Sequence, residues 1–216
     1  MFDCDGVLVD SEPIAVDVLR ETLRCVGLEI SPTTAYERFL GRSLASILRD
    51  VAERDGLVLT EADLADMRAR LARRFENELR PVPGVAAAVG ALDAAVCVAS
   101  SSHPERLALS LRVTGLAPLF GADVFSAVEV ERGKPAPDLF LHAARRMHAP
   151  ARGTVVIEDS PAGIAAARAA GMRVVGFTGG AHAGPAMLDQ SLRAMGPDAV
   201  VTHMDDLAAA LDALPA

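Results

Sequence analysis

Between positions 14 and 80 the apolar residues recur at helical spacing, with no strand-like alternation. Val18, Leu19, Leu23 and Val26 form one stripe that ends at Gly27. Leu44, Ile47, Leu48 and Val51 form a second that ends at Gly56, and Leu64, Met67, Leu71 and Phe75 form a third. Ser31-Pro32 marks a further helix start, a capping hydroxyl followed by proline at the first helical position. Four successive amphipathic helices predict a bundle.

From Pro81-Val82-Pro83-Gly84 the pattern changes. Short apolar runs at 95–99, 123–126, 154–157, 173–176 and 199–201 alternate with helical stretches near 84–93, 104–114, 137–148, 161–171 and 185–195. Such runs, buried on both faces and separated by helices, predict a parallel sheet with right-handed crossovers. The acid–apolar alternation from Phe2 to Val9 predicts one more strand. The fold class is therefore α/β, a Rossmann-like doubly wound sheet built from residues 1–13 and 81–216. A helical bundle, 14–80, is inserted after the first strand.

Composition narrows the function. The chain has 216 residues, 51% apolar and 23% charged, enough for a real core. Aromatics are 4%, with no Trp, which argues against a base-stacking platform. A net charge of −8 makes nucleic acid and anionic membrane poor partners. The longest apolar stretch is broken by Asp93, too short to span a bilayer. Cys4, Cys25 and Cys97 stand apart without metal or disulfide spacing, and the start MFDCDG has no basic leader. A cytoplasmic protein, a monomer or weak dimer, is expected.

Open parallel sheets carry their sites outside the carboxyl ends of the strands. There the chain places Asp3-Cys4-Asp5-Gly6, Ser100-Ser101-Ser102-His103, the stretch from Glu129 to Lys134-Pro135, and Glu158-Asp159-Ser160. Lys134 is the one lysine among 21 basic residues. Asp3 and Asp5, two apart, would point the same way from an extended strand, with Cys4 opposite. Two carboxylates together need a cation or a proton between them. With Glu158 and Asp159 and no histidine, the set suits Mg²⁺ better than Zn²⁺. Lys134, in a proline-flanked turn, suits a phosphoryl oxygen and a pairing with Asp3. Ser100 offers a hydroxyl to an anion. No Walker-type phosphate loop, GxGxxG or GxSxG occurs. The five histidines show no ligand spacing, and His103 is the one that falls near the strand ends.

DCDGVLVDSE at 3–12, VASSS at 98–102, GKPAPDLF at 133–140 and IEDSPAGIAAARAAGM at 157–172 together resemble the four ordered motifs of the haloacid dehalogenase superfamily. More narrowly they resemble its phosphatases and β-phosphoglucomutases with a helical cap after the first motif. GFTGGAHAG at 176–184 is similar to a subgroup of sugar-phosphate phosphatases. The resemblance implies Asp3 as the nucleophile that forms an aspartyl-phosphate. It implies Asp5 as general acid and then base, its backbone carbonyl also on Mg²⁺. Ser100 and Lys134 would hold the phosphoryl group. Asp159 would bind Mg²⁺, with Glu158 as a ligand or beside one. Asp5 also argues against dehalogenation, since a departing halide needs no proton.

The mutases have a histidine four residues after the Ser or Thr of the first motif; here Ala15 stands there. Hydrolysis is therefore favoured over a sugar phosphomutase. A receiver-like phospho-Asp signalling module lacks both the inserted bundle and the second acid. Ser11, Glu12, Arg42 (with Ser43), Ser101 and Ser102 are the candidate substrate contacts. The expected partner is a small phosphorylated metabolite, a sugar or sugar-acid phosphate. Only Met1 and Phe2 precede Asp3, so a stub of a first strand is expected, with the natural start upstream.

Overall fold

The computed structural model describes all residues except Leu40, Gly41, Ser43, Pro185, Ala186 and Ala216. Four helices come first: α1 (Glu12–Cys25), α2 (Pro32–Phe39), α3 (Leu44–Asp55) and α4 (Glu61–Glu78). The α/β region then runs α5 (Val85–Gly90), β1 (Val98–Ser100), α6 (Pro104–Val113), α7 (Ala117–Phe120), β2 (Val124–Ser126) and α8 (Asp138–Arg146). It continues with β3 (Val155–Glu158), α9 (Pro161–Ala169), β4 (Arg173–Phe177), α10 (Leu188–Ala194), β5 (Ala199–Val201) and α11 (Leu207–Asp212). The four-residue α7 and the terminal α11 were not predicted from the pattern. Position 185, where a helix was predicted to begin, lies outside the described residues.

All strand pairs are parallel: β1 with β2, β3 with β4, and β4 with β5. The chain start joins these two groups. Phe2 bridges Val98 on one side and Ile157 on the other. The Phe2 amide donates to Cys97 and the Asp3 amide to Ile157, at 2.9 and 3.0 Å. The order is therefore β2, β1, Met1–Asp3, β3, β4, β5. Side chains alternate across the sheet. Val98, Ile157 and Val175 face one apolar cluster, while Ala99, Val156 and Val174 face the other. That period-2 split makes the sheet doubly covered.

The first strand is the stub expected for it and ends at Asp3; the alternation from Phe2 to Val9 does not extend it. Gly6, at φ +77°, turns the chain, and the Leu8 and Val9 amides both donate to the Cys4 carbonyl. The chain then pairs with its own return: the Asp10 amide donates to Arg80 and the Val82 amide to Leu8. The two connections of the helical insertion are thus hydrogen-bonded to each other at the sheet edge.

α1, α3 and α4 pack by most of the stripe expected for each. α1 buries Ile14, Val18, Leu19 and Leu23, and α4 buries Leu64, Met67 and Phe75. α4 begins with a capping box between Thr60 and Asp63. Ser31 accepts the Thr34 amide ahead of α2. The insertion's apolar side chains and one face of the sheet belong to one continuous cluster. Among the described residues, no helix is long and apolar enough to cross a membrane.

Candidate active site

β3 ends in Glu158, and two residues later Ser160 caps α9. The Ser160 hydroxyl accepts the Gly163 amide and donates to Glu158 Oε2 at 2.9 Å; the Ser160 amide donates to the same oxygen at 2.8 Å. A Cβ at Gly163 would lie 1.8 Å from Glu158 Oε1. The motif needs glycine there so that the carboxylate can lie over the first turn of the helix, where the helix dipole favours an anion. The other oxygen, Oε1, accepts from Lys134 Nζ at 2.6 Å, and Nζ also donates to Asp3 Oδ1 at 2.9 Å.

Lys134 is buried, with 4% of its side chain exposed, and Nζ stands 4.9 Å over the Phe140 ring. Burial alone would lower its pKa, but Asp3 and Glu158 outweigh that and raise it. Carboxylate oxygens of Asp3, Glu158 and Asp159 all lie within 4.8 Å of one another. One ammonium does not balance three acids. Burial pushes the Asp3 carboxyl up to about 8, with Lys134 pulling down and Glu158 and Asp159 pushing up. Burial, then Glu158, raises Asp159 well above the carboxylate range. Three buried, oxygen-only donors with unbalanced negative charge fit a hard divalent cation such as Mg²⁺.

Asp5 does not join that group. The expectation that it projects beside Asp3 from one extended strand is corrected, because the strand ends at Asp3. Its Oδ1 accepts from the Ser11 hydroxyl at 2.5 Å and from Arg106 Nη2 at 2.7 Å, and its Oδ2 from the Ser102 hydroxyl at 2.5 Å. Burial opposes ionisation, yet Arg106 and the two hydroxyls outweigh it and lower the Asp5 pKa. Arg106 also lies 5.1 Å from the ring centre of Phe75 on α4, so the insertion and the second acid share one cation.

A cavity of about 730 Å³ opens over both groups. Asp3, Asp5, Ser100, Lys134, Glu158 and Asp159 form its floor. Of the candidate substrate contacts, Glu12, Arg42, Ser101 and Ser102 line it. Ser11 is a correction: it is fully buried, absent from the lining, and committed to Asp5. Arg42 reaches the lining while bonded to Ser46 and Asp50, and Ser43 lies outside the described residues. Glu12 faces the cavity with a carboxyl that burial, and then Asp5, pushes up to about 7. The Ser100 hydroxyl accepts the Ser102 amide at 3.1 Å, which fixes the loop after β1.

Two residues were missed in the sequence. Arg106 lacked any motif; its signal was a cation one turn into the helix after the Ser100–Ser102 loop. His182 was set aside for want of ligand spacing, while His103 proves largely exposed and paired with Glu105. His182 is fully buried, with Nε2 2.9 Å from Asp159 Oδ2, and burial lowers its pKa. Its signal was position: it follows Gly179-Gly180 beyond the carboxyl end of β4.

The chain is similar to known proteins over most of its length. Residues 1–171 match the family model of haloacid dehalogenase-like hydrolases. The chain is 32% identical over 185 residues to the 6-phosphogluconate phosphatase of Escherichia coli, covering 85% of this chain and 84% of that one. A haloacid dehalogenase-like protein of Agrobacterium tumefaciens superposes with TM-score 0.85 at 39% identity, covering 98% of this chain and 96% of that one. A hydrolase of the same family from Deinococcus radiodurans, with bound phosphate and sodium, gives TM-score 0.75 at 34% identity, covering 97% and 93%.

Proposed function

The chain belongs to the haloacid dehalogenase-like hydrolases, and from that membership we propose that this phosphatase hydrolyses a small phosphomonoester, a sugar or sugar-acid phosphate, through an aspartyl-phosphate on Asp3. The observation that carries the reading is Lys134, a buried ammonium held between Asp3 and Glu158 on the floor of a cavity. A buried ammonium placed against a carboxylate is the arrangement that receives a transferring phosphoryl group.

Asp3 attacks phosphorus with one carboxylate oxygen as the bond to the leaving alcohol breaks. Lys134 steadies the phosphoryl oxygens, and the Ser100 hydroxyl donates to one of them. Asp5, anionic in the free site, takes up a proton from the monoanionic ester as it binds and passes it to the leaving oxygen, and later takes one from the water that cleaves the acyl phosphate. Ser11, Ser102 and Arg106 hold Asp5 anionic, the form that the second half requires. Asp3, Glu158 and Asp159, with the Asp5 carbonyl, would hold Mg²⁺. When bound, that ion offsets negative charge on the phosphoryl group. Helices α1–α4, read as a cap over residues 14–80, exclude water and select the leaving group. The 6-phosphogluconate phosphatase relative supports a sugar-acid phosphate as the substrate class.

The test is phosphate release from a panel of sugar and sugar-acid phosphates with Mg²⁺, run beside Asp3→Asn. The wild type is expected to turn over many times, and Asp3→Asn and EDTA-treated protein to fall by about 10⁴-fold or more. Isomerisation of a hexose phosphate without net phosphate release, or one phosphate per chain, would sink the hydrolase reading.

A further inference from the structure

The proposed reaction leaves His182 without a task. The residue is fully buried, and neither ring nitrogen meets the geometry of a hydrogen bond. Nε2 is nevertheless 2.9 Å from Asp159 Oδ2, close enough for one but not aligned. A buried polar group without a partner is unfavourable and rare in native folds. A chance orphan would be expected in a loose corner. This one has a built seat.

Two glycines make that seat. A Cβ at Gly180 would lie 2.5 Å from His182 Cε1 and 2.6 Å from Nδ1. A Cβ at Gly6 would lie 2.8 Å from Cε1 and 1.8 Å from Asp159 Oδ2. Any side chain at either place would expel the imidazole. The loop is also tethered: the Ala181 amide donates to Asp10 Oδ1 at 3.1 Å. The turn after Asp5 and the loop after β4 thus enclose one ring, whose nearest acid is Asp159, with Glu12 and Asp10 also acting on its charge.

We propose that His182 is a positioning residue for Asp159. Its Nε2–H takes Oδ2 and so turns the other Asp159 oxygen toward the cation. This rests on the reading of Asp159 as a cation ligand. Partners that orient ligating groups change metal affinity by about 10- to 100-fold when removed, and a role of this kind gives the orphaned donor its acceptor.

The experiment is calorimetric titration of Mg²⁺ into the full chain without substrate, for the wild type, Asp159→Asn, His182→Leu and His182→Gln. Leucine fills the seat without a donor; the glutamine amide nitrogen stands near the place of Nε2. Asp159→Asn is expected to lose binding. His182→Leu is expected to weaken Mg²⁺ by about tenfold. At saturating Mg²⁺ its KM for the ester should stay within about twofold, because the residue acts through Asp159. His182→Gln should return to within about threefold of the wild type. Wild-type affinity in His182→Leu, or equal weakness in the Leu and Gln variants, would overturn the proposal in favour of packing. If His182→Leu does not fold, His182→Asn, too short to reach Asp159, is judged by the same criteria. Asp159→Asn that binds Mg²⁺ as tightly as the wild type would overturn the cation reading itself, and this inference with it.

Discussion

Asp50 in the helical insertion and Asp3 at the sheet edge are equally covered, each 8% exposed, yet their carboxyls shift in opposite directions. Hydrogen bonds from Arg38 hold Asp50 below the ordinary range, with Arg42 and Arg54 adding to the pull. Burial drives Asp3 up to about 8 in spite of Lys134. Asp50 is screened mainly by its own partners, two of which reach solvent: Arg42 is 37% exposed and Arg54 69%. Asp3 lies deep, among acids that outnumber the cations. The insertion settles its charge internally and gains ordinary stability. The sheet edge leaves negative charge unbalanced at a cavity, which suits a site that must admit a cation and then a phosphoryl group.

The comparison can be broken first at Lys134. Lys134→Met removes the cation that offsets Asp3 and Glu158, and kcat should fall about 10³-fold, equivalent to about 4 kcal/mol. Steady-state phosphate release measures it. A fall of less than tenfold would place the phosphoryl-binding charge elsewhere.

Glu12 lies at the junction and gives the next largest effect. Its folded carboxyl stands at about 7 against an ordinary 4.5, so the folded state holds the proton more tightly than the unfolded chain. Stability therefore drops as pH rises from about 4.5 to 7 and levels off above. Glu12→Gln removes that contribution. Across this window the wild type should lose about 1–3 kcal/mol relative to the variant. Urea midpoints at low and neutral pH decide it, and parallel curves would show that Glu12 titrates normally.

Arg42 tests the insertion side. It is bonded to Ser46, Asp50 and the Arg38 carbonyl and partly exposed. Arg42→Ala should cost only about 0–1 kcal/mol in thermal unfolding and leave kcat within about twofold. A thousandfold loss of kcat would move the chemistry onto the insertion and erase the contrast between the two regions.

Much of this arrangement was legible along the chain. The helical stripes of α1, α3 and α4 and the apolar runs of β1 to β5 are local signals, set by side-chain periodicity. The grouping of Asp3, Lys134, Glu158 and Asp159 followed from a topological rule, since every strand of a parallel sheet ends on the same edge. The contacts of Asp5 were not legible. One residue separates it from Asp3, but a turn at Gly6 sends its carboxylate to Ser11, Ser102 and Arg106. The role of Ser11 changed for the same reason, from a cavity contact to a buried donor.

Arg106 meets Asp5 across 101 positions of sequence, and His182 meets Asp159 through a loop with no regular period. No local pattern carries such pairings, because they depend on how separate loops pack. The α/β class, the run of four helices before the strands and the acids and lysine gathered at the sheet edge could be read along the chain, because periodicity and strand direction are local properties. Packing alone set which acid faces which partner, that Asp3 lies among acids and Asp50 among arginines, and that His182 sits against Asp159, because burial and charge balance belong to the packed whole.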